Sequence, residues 1–520
     1  MKIDEVIQAL TQCCAQDVHV YGPLPSHIHR VTADSREVDP GSCFVAVRGL
    51  NVDAHSFIPQ ALDRGARLVV GEREPQETWY ARAGYIRVPN SRAALAYLSA
   101  ALYGYPSRRL LVVGVTGTDG KTTTSILIAH VLRAAGYPTG WVTTTGAYVG
   151  DRTVDTGFHV TTPTAPALQR YLHDMVRQGV RAVVLESTSH GLHQRRVDAV
   201  DFDVAVVTNV THEHLDYHGT WENYLAAKAR LFTLMANAPR KPGIPKVAVL
   251  NRDDRSFPYL QTLPNPHVVT YGFSPHADVR PLEIRTGVEH TFLRVHTPVG
   301  EVELISHLVG DFNVYNVMAA VAVGVGLRLP PERIREGIAS VRGIEGRLER
   351  IDEGQDFLAV VDFAHSPVAL ERALRTLRAL TSGRVIAVFG SAGLRDVAKR
   401  YLMGKIGAEL ADLVVLTAED PRTESLEAIL EEMSRGARDG GGIEGRTFWR
   451  IPDRQEAILH AVHLAEPGDI VAVFGKGHER SMCFGTVEYP WSDQEAVRWA
   501  LRVRLHGRAK AGPPPFHLPV

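Results

Sequence analysis

Lys121, Thr122 and the glycines just before them are the residues most open to a chemical reading. In the stretch Leu110–Thr124, LLVVGVTGTDGKTTT, an apolar, β-rich run enters a glycine turn, and Lys121 with three threonines then opens a helix. Strand, glycine turn and Lys-Thr is how backbone N–H groups are aimed at a phosphate, with the lysine reaching the terminal phosphates and a hydroxyl on Mg²⁺. The long phosphate-loop pattern asks for a glycine five residues before Gly120, where this chain has Val115, so the match is the shorter GTDGKT of Gly117–Thr122. The same residues also suit a tight strand-to-helix turn with a solvated lysine.

Other candidates stand where further apolar strands end. RAVVLE ends in Glu186, followed by Ser-Thr-Ser-His-Gly; AVVTNV runs into THEHLD, giving His212, Glu213, His214 and Asp216. Near the start, Asp34-Ser35-Arg36 suits either a binding turn or a simple cap.

The elements that must position these groups alternate along the chain. At 520 residues the chain is too long for one core, and about 150 residues per domain suggests three. Residues 1–107 alternate short strand and helix signals, as expected of a small α/β domain. From 108 to 343, LLVVGV, RAVVLEST, DFDVAVVTNV and KVAVLN are continuous apolar runs separated by helices, the pattern of a parallel sheet covered on both faces. Ligands of such sheets sit at the carboxyl ends of the strands. The segment 265–305 alternates polar and apolar residues and is expected to form a small antiparallel sheet on this domain. From 344 to 520 a third alternation follows (FLAVVDFAH, RVIAVFGSAG, DLVVLTAEDPR, DIVAVFGKGHE), with a Pro/Gly-rich tail from about 506 expected to be flexible.

Charge and composition exclude several classes. Lys and Arg number 57 against 58 Asp and Glu, so no net field draws the chain to nucleic acid or an anionic membrane. Cys13, Cys14, Cys43 and Cys483 have neither metal-site spacing nor the density of a disulfide scaffold. The opening MKIDEVIQALTQCC reads as an amphipathic helix rather than a signal peptide, and no apolar run reaches the roughly 18 residues of a membrane span. A soluble, cytoplasmic monomer is expected.

Taken in order, TADSR, GTDGKTTT, VTTPTAP, ESTSHGLHQRRV, TNVTHEHLDYHG, YLAAK, GDFNVYNVMAA, EGRLERI, VDFAHSP, VFGSAGLRD, EDPR and GKGHE resemble the motifs of the Mur ligases, within them the UDP-N-acetylmuramoyl-tripeptide synthetase branch, over nearly the whole chain. The resemblance implies three α/β domains: a UDP-MurNAc-binding domain, a central P-loop-type ATP domain, and a Rossmann-like domain that takes the amino acid. It implies an amide ligase using ATP and Mg²⁺, in which the carboxylate of a UDP-MurNAc-dipeptide takes the γ-phosphoryl group and an amine then displaces phosphate. Cations must crowd such a site and water must be kept out, which suits three domains closing on one another.

Residue by residue, the resemblance assigns Gly117, Thr118, Asp119, Gly120, Lys121, Thr122 and Thr123 to the triphosphate, with Asn316, Arg347 and Asp362 also on the nucleotide. Thr122, Glu186, His214 and Lys228 would hold metal; Lys228 would do so as a carbamate made from CO₂, although as sequence it reads as an ordinary helix-surface lysine. The family's Leu-Asp after its metal histidine selects His214 over His212 and His218. Ser35 and the Leu50-Asn51-Val52 turn match the uridine side, and Thr161, Thr162, Thr188, Gln194 and Arg196 the rest of the UDP-MurNAc-peptide. Arg395 would take the amino acid's α-carboxylate, with Gly475 and Glu479 closing its pocket. At Glu419-Asp420-Pro421-Arg422 the chain departs from the DNPR of diaminopimelate-adding relatives. Arg422 suits a distal carboxylate, whereas the added acid suits an ammonium end, so meso-diaminopimelate, L-lysine and L-ornithine all stay open. Asp119, in place of the usual Asn, sets a carboxylate beside phosphates. Two other classes compete: another amide ligase of the folylpolyglutamate or cyanophycin type, against which the Asp34-Ser35-Arg36 domain and ESTSHGL argue; and a binding partner that keeps only the fold, against which the presence of Lys121, Glu186, His214 and Lys228 argues.

Overall fold

The computed structural model describes residues 1–14, 17–49, 52–150, 152–154, 161–211, 213–287 and 289–520. Two compact units emerge: Met1–Ile284, Leu293–Ile305 and Val314–Ser340 form the first; Arg285–Phe292, Ser306–Asn313 and Val341–Val520 form the second.

The first unit holds two sheets. A five-stranded sheet in the order His19–Tyr21, Gly84–Arg87, Leu68–Gly71, Cys43–Val45, Val31–Thr32 lies near the N-terminus. The larger sheet has eight strands, in the order Val268–Tyr271, Val247–Asn251, Val204–Val207, Leu111–Thr116, Ala182–Glu186, Thr139–Thr143, Gly146–Val149, Arg152–Val154. Its first six strands run parallel, and the last two add an antiparallel edge. The apolar runs read from the sequence are its central strands, and every residue of Leu111–Thr116 is buried. Leu111–Thr116 lies between two strands that follow it in the chain, so strand order reverses there. That is the topological switch point where α/β sheets open a crevice. Glu186 ends one neighbouring strand, and Thr208-Asn209 follow the other.

The segment expected to make a small separate sheet divides its strands. Arg280–Thr286, Thr291–Thr297 and Gly300–Ser306 form a three-stranded sheet, whereas Val268–Tyr271 joins the large one, parallel to Val247–Asn251. Tyr271 explains the difference: it is buried, and its hydroxyl donates to the carbonyl of Val207 at 2.9 Å.

The second unit is a six-stranded sheet, ordered Glu349–Ile351, Leu358–Asp362, Ile470–Phe474, Val385–Phe389, Leu413–Leu416, Phe448–Arg450, parallel except for its first strand. The period of two divides Val385–Phe389 between its faces: Ile386 and Val388 enter one apolar cluster, and Val385, Ala387 and Phe389 the other. The tail from about 506, expected to be flexible, carries a short helix, Arg508–Ala511; Phe516 lies 5.0 Å from the Trp491 ring, and Trp499 Nε1 donates to Gly512 O at 3.1 Å. Among the described residues no helix is long and apolar enough to cross a membrane.

Arg454 and Asp493 fasten this unit from inside. Both are fully buried, joined by Nε–Oδ1 and Nη2–Oδ2 bonds of 2.8 Å, and Arg454 also donates to the carbonyls of Ala418 and Phe474. Arg454→Met strands the carboxylate without its cation, and should lower the unfolding free energy by about 3–5 kcal/mol. Arg454→Met/Asp493→Leu should recover part of that loss in urea unfolding followed by circular dichroism; equal losses would show that the pairing of charges is not what matters.

Candidate functional site

The loop after Leu111–Thr116 is held almost wholly through its backbone. Gly117 has φ +151°, and a Cβ there would lie 1.8 Å from Thr208 Oγ1; at Gly120, φ +77°, it would lie 2.3 Å from Asn316 Oδ1. Asn209 takes the Thr118 N–H on its carbonyl (2.7 Å) and the Asp119 N–H on Oδ1 (3.0 Å), while Thr208 Oγ1 donates to Asp119 O at 2.6 Å. Thr118 Oγ1 is 3.0 Å from the Tyr224 hydroxyl and accepts the Thr211 N–H at 3.0 Å. Lys121 folds back so that Nζ donates to Thr118 O at 2.7 Å. The helix Lys121–Ala134 starts at Gly120 without a side-chain cap, leaving its first N–H groups for an anion. Asn316 is buried, and its Oδ1 accepts from Thr124 Oγ1 at 3.1 Å.

Glu186 and Lys228 flank this loop, and both are buried. Glu186 Oε2 accepts from Thr122 Oγ1 at 2.9 Å and from the Thr144 N–H at 3.1 Å; Thr144 Oγ1 lies 3.2 Å from both carboxylate oxygens. Thr144 was missed by sequence reasoning, although its place just past the strand Thr139–Thr143, next to Ala182–Glu186 in the sheet, is a signal of the kind that found Glu186. Lys228 belongs to the helix Trp221–Asn237, which Thr220 caps. The expected surface lysine is 1% exposed. Its Nζ donates to Gly117 O at 2.5 Å and lies 4.3 Å from the centre of the Tyr224 ring, one turn earlier on the same face. Burial, and then the ammonium of Lys121, push its pKa well below the lysine range, against the opposing pull of Glu213, Asp119 and Glu186.

His214 stands on the neighbouring loop with φ +55°, half-exposed, its ring 4.8 Å from that of His190 and its Nε2 4.0 Å from Glu213 Oε2. His212 lies outside the described residues. Among the described residues no three His, Cys, Asp or Glu side chains converge as a metal cage. The donors that do meet, the Thr122 hydroxyl and the Glu186 carboxylate, are hard oxygens. They fit Mg²⁺, which keeps water and takes one or two carboxylates together with substrate phosphates. A buried amine whose hydrogen-bond partner is a carbonyl fits a lysine that reacts in its neutral form.

Five residues matched to the nucleotide-sugar substrate form one network that reaches Glu186. Thr161 Oγ1 bonds Thr144 Oγ1 (3.0 Å); Thr162 Oγ1 bonds Glu186 O and Thr188 Oγ1 (both 3.0 Å). Arg196 Nη1 donates to Thr162 O (2.6 Å) and Nη2 to Gln194 Oε1 (2.7 Å), and Gln194 Nε2 meets the Tyr217 hydroxyl at 3.2 Å. Ser35 is buried and donates to Gln60 Oε1 at 2.8 Å, Val52 is exposed, and Leu50 and Asn51 lie outside the described residues.

In the second unit Asp362 accepts the N–H groups of Leu348 (2.7 Å) and Ala364 (2.8 Å), and burial raises its pKa. Arg347 lies over the Phe363 ring at 4.9 Å, and the His478 ring is also 4.9 Å from Phe363. Arg395 is exposed on a loop whose Gly393 N–H donates to Asp420 O (3.0 Å) and whose Gly393 O accepts from Arg422 Nη1 (3.2 Å). Glu419 is buried, its pKa raised by burial, and Gly475 (φ +111°) approaches so closely that a Cβ would sit 2.4 Å from Glu419 Oε2. Asp420 Oδ1 receives Lys476 Nζ at 2.9 Å, and Lys476 also meets Glu479 Oε2 at 2.5 Å. The acid at 420 is therefore a paired charge, which weakens its case for selecting an ammonium. Lys476 went unread in the sequence, where GKGHE drew attention to Gly475 and Glu479.

Three family descriptions match the chain in order: Mur ligase family, catalytic domain, over residues 27–103; Mur ligase middle domain over 115–324; and Mur ligase, glutamate ligase domain, over 346–477. A UDP-N-acetylmuramyl-tripeptide synthetase of Roseiflexus sp. (strain RS-1) is 45% identical over 512 residues, covering 96% of this chain and 99% of that one. A UDP-N-acetylmuramoyl-L-alanyl-D-glutamate–2,6-diaminopimelate ligase of Bacillus licheniformis is 40% identical over 474 residues, covering 91% and 94%. Among solved structures, one of a ligase of that same 2,6-diaminopimelate type superposes with a TM-score of 0.66 at 32% identity, covering 92% of this chain and 96% of that one.

His478 makes the stability of the fold acid-sensitive. Burial, reinforced by the nearby Arg347 guanidinium, lowers its pKa from the ordinary 6.5 to about 3. Below pH 6.5 the unfolded chain takes up a proton that the folded chain refuses, so its contribution to stability is full above 6.5 and falls as pH drops toward 3. The cost at pH 5 is roughly 1–2 kcal/mol. The melting temperature of the parent should therefore fall more between pH 7 and pH 5 than that of His478→Gln; equal falls would show that the ring is protonated in the fold.

Proposed function

Because this chain belongs to the Mur ligase family, we propose that it is an ATP-dependent acid–amino-acid ligase that adds a diamino acid to UDP-N-acetylmuramoyl-L-alanyl-D-glutamate in peptidoglycan precursor synthesis. The observation that carries this reading is the arrangement around Gly117–Thr122: an uncapped helix start, Thr122 against Glu186, and a buried Lys228 directly behind the loop. Residues 1–107 would bind the nucleotide sugar, 108–343 ATP, and 344–520 the amino acid. The enzyme would act in the cytoplasm, where ATP and nucleotide sugars are made, and as a monomer.

In the reaction the substrate carboxylate oxygen attacks the γ-phosphorus and ADP leaves. The amine then attacks the acyl carbon, phosphate departs and the amine loses a proton. Anions that repel one another must be brought together, so the chain supplies fixed donors to offset that repulsion. Lys121 Nζ and the backbone N–H groups of Gly117–Thr123, other than those of Thr118 and Asp119 that Asn209 holds, bind the triphosphate. Thr122, Glu186 and His214, with Lys228 as a carbamate, would hold Mg²⁺, which supplies a Lewis acid for the phosphoryl oxygens. Burial lowers the Lys228 pKa and so favours the free amine that carbamate formation demands. Thr161, Thr162, Thr188, Gln194 and Arg196 form a hydrogen-bonded surface suited to a pyrophosphate and sugar, with Ser35, Leu50, Asn51 and Val52 at the uridine end. The resemblance also assigns Asn316, Arg347 and Asp362 to the nucleotide. Arg395 takes the α-carboxylate, and Glu419–Arg422, Gly475 and Glu479 shape the side-chain pocket.

Phosphate release with meso-diaminopimelate, L-lysine and L-ornithine, each with UDP-MurNAc-L-Ala-D-Glu and ATP, tests the reading. At least one of the three should support turnover above the amino-acid-free rate by at least a hundredfold. Turnover with a monoamino acid and with none of these would overturn the assignment of the pocket.

A further inference from the structure

Lys476 is paired with two residues of the proposed amino-acid pocket, without an assigned role of its own. It is fully buried, and its two anionic partners, Asp420 and Glu479, come from different parts of the chain. Asp420 Oδ1 accepts a second donor as well, the Cys483 N–H at 2.9 Å. Backbone bonds tie the same turn to the hairpin of Ser481–Phe484 and Val487–Pro490: Arg422 N–H to Cys483 O at 3.1 Å, and Gly485 N–H to Arg422 O at 2.8 Å.

The turn needs this hold. Asp420 and Arg422 both have left-handed backbones, φ +42° and +54°, on either side of Pro421, a conformation that side-chain-bearing residues keep only when their surroundings impose it. The loop that carries Arg395 is docked on the turn in its own right, through Gly393 N–H to Asp420 O and Arg422 Nη1 to Gly393 O. One buried ammonium therefore stands behind both arginines that the ligase reading assigns to the amino acid. It also separates two carboxylates that would otherwise repel each other in a medium of low polarity.

We infer that Lys476 is a positioning residue of the amino-acid pocket: by binding Asp420 and Glu479 together it fixes the Glu419–Arg422 turn and engages the Asp420 carboxylate, so that Asp420 is not free to take the ammonium of an incoming side chain. This rests on the ligase reading above. An acid suits position 420, because Oδ1 must accept from an ammonium and an N–H at once and a carboxylate is the stronger acceptor.

The test is the Michaelis constant for the best diamino acid of the panel, set against that for ATP and against kcat, in Lys476→Met, Asp420→Ala and Asp420→Asn. Lys476→Met and Asp420→Ala should each raise the amino-acid KM at least tenfold, with the ATP KM and kcat within threefold of the parent. Asp420→Asn, which keeps an acceptor at Oδ1, should raise it less than Asp420→Ala. If Lys476→Met does not fold, the two Asp420 variants decide. A proportionate loss in both Michaelis constants and kcat, or an equal effect of Ala and Asn at 420, would overturn the inference. A parent chain inactive with every diamino acid would instead contradict the ligase reading, and the inference with it.

Discussion

The contact on which the nucleotide end depends is that between the amine of Lys228 and the carbonyl of Gly117. A lysine fully removed from water cannot keep its charge cheaply without a carboxylate at hand, and here its hydrogen-bond partner is a neutral carbonyl. Burial and the neighbouring Lys121 favour the free amine. Much of the surrounding arrangement serves to place that amine. Tyr224 lies one turn away on the same helix and fixes Thr118 through its hydroxyl. Gly117 must be glycine because Thr208 fills the space of a side chain. The Thr208-Asn209 pair in turn clamps the loop from the next strand.

Asp119 finds its explanation in the same frame. Its backbone N–H and carbonyl are both taken by Asn209 and Thr208, so the clamp asks nothing specific of its side chain. The carboxylate still acts at a distance, as one of three acids whose field moderates the depression of the Lys228 pKa. An acid in the loop thus opposes, in part, the depression that burial imposes on the buried amine.

Some of this was legible in the sequence and some was not, for physical reasons. Continuous apolar strands, the glycine turn and Glu186 at a strand end are local patterns, and they pointed to the large parallel sheet and to ligands at the carboxyl ends of its strands. Family membership followed from a dozen short motifs in order. Lys228 was unreadable from pattern alone, because a lysine three residues after Leu225 looks like a solvated helix face until the loop that covers it is in place. Thr144 and Lys476 were overlooked because their partners, Glu186 and Asp420, lie far away in the chain. Val268–Tyr271 was read with the polar strands after it, yet its buried residues and its parallel pairing with Val247–Asn251 place it in the large sheet. The acid at 420 was counted as free charge because sequence shows the anion and not the buried ammonium that answers it.

The two ends of the chemistry thus rest on opposite uses of a buried lysine. Lys476 pairs with two carboxylates; Lys228 donates to a carbonyl, and burial lowers its pKa toward the free amine. The claim that Lys228 works as an anion built on that amine is tested most directly by turnover of Lys228→Ala with and without short-chain carboxylates in the assay. The account predicts that the variant is inactive alone and regains part of the parental rate when acetate or formate takes up the space of the missing arm. Full activity without any added carboxylate would contradict it.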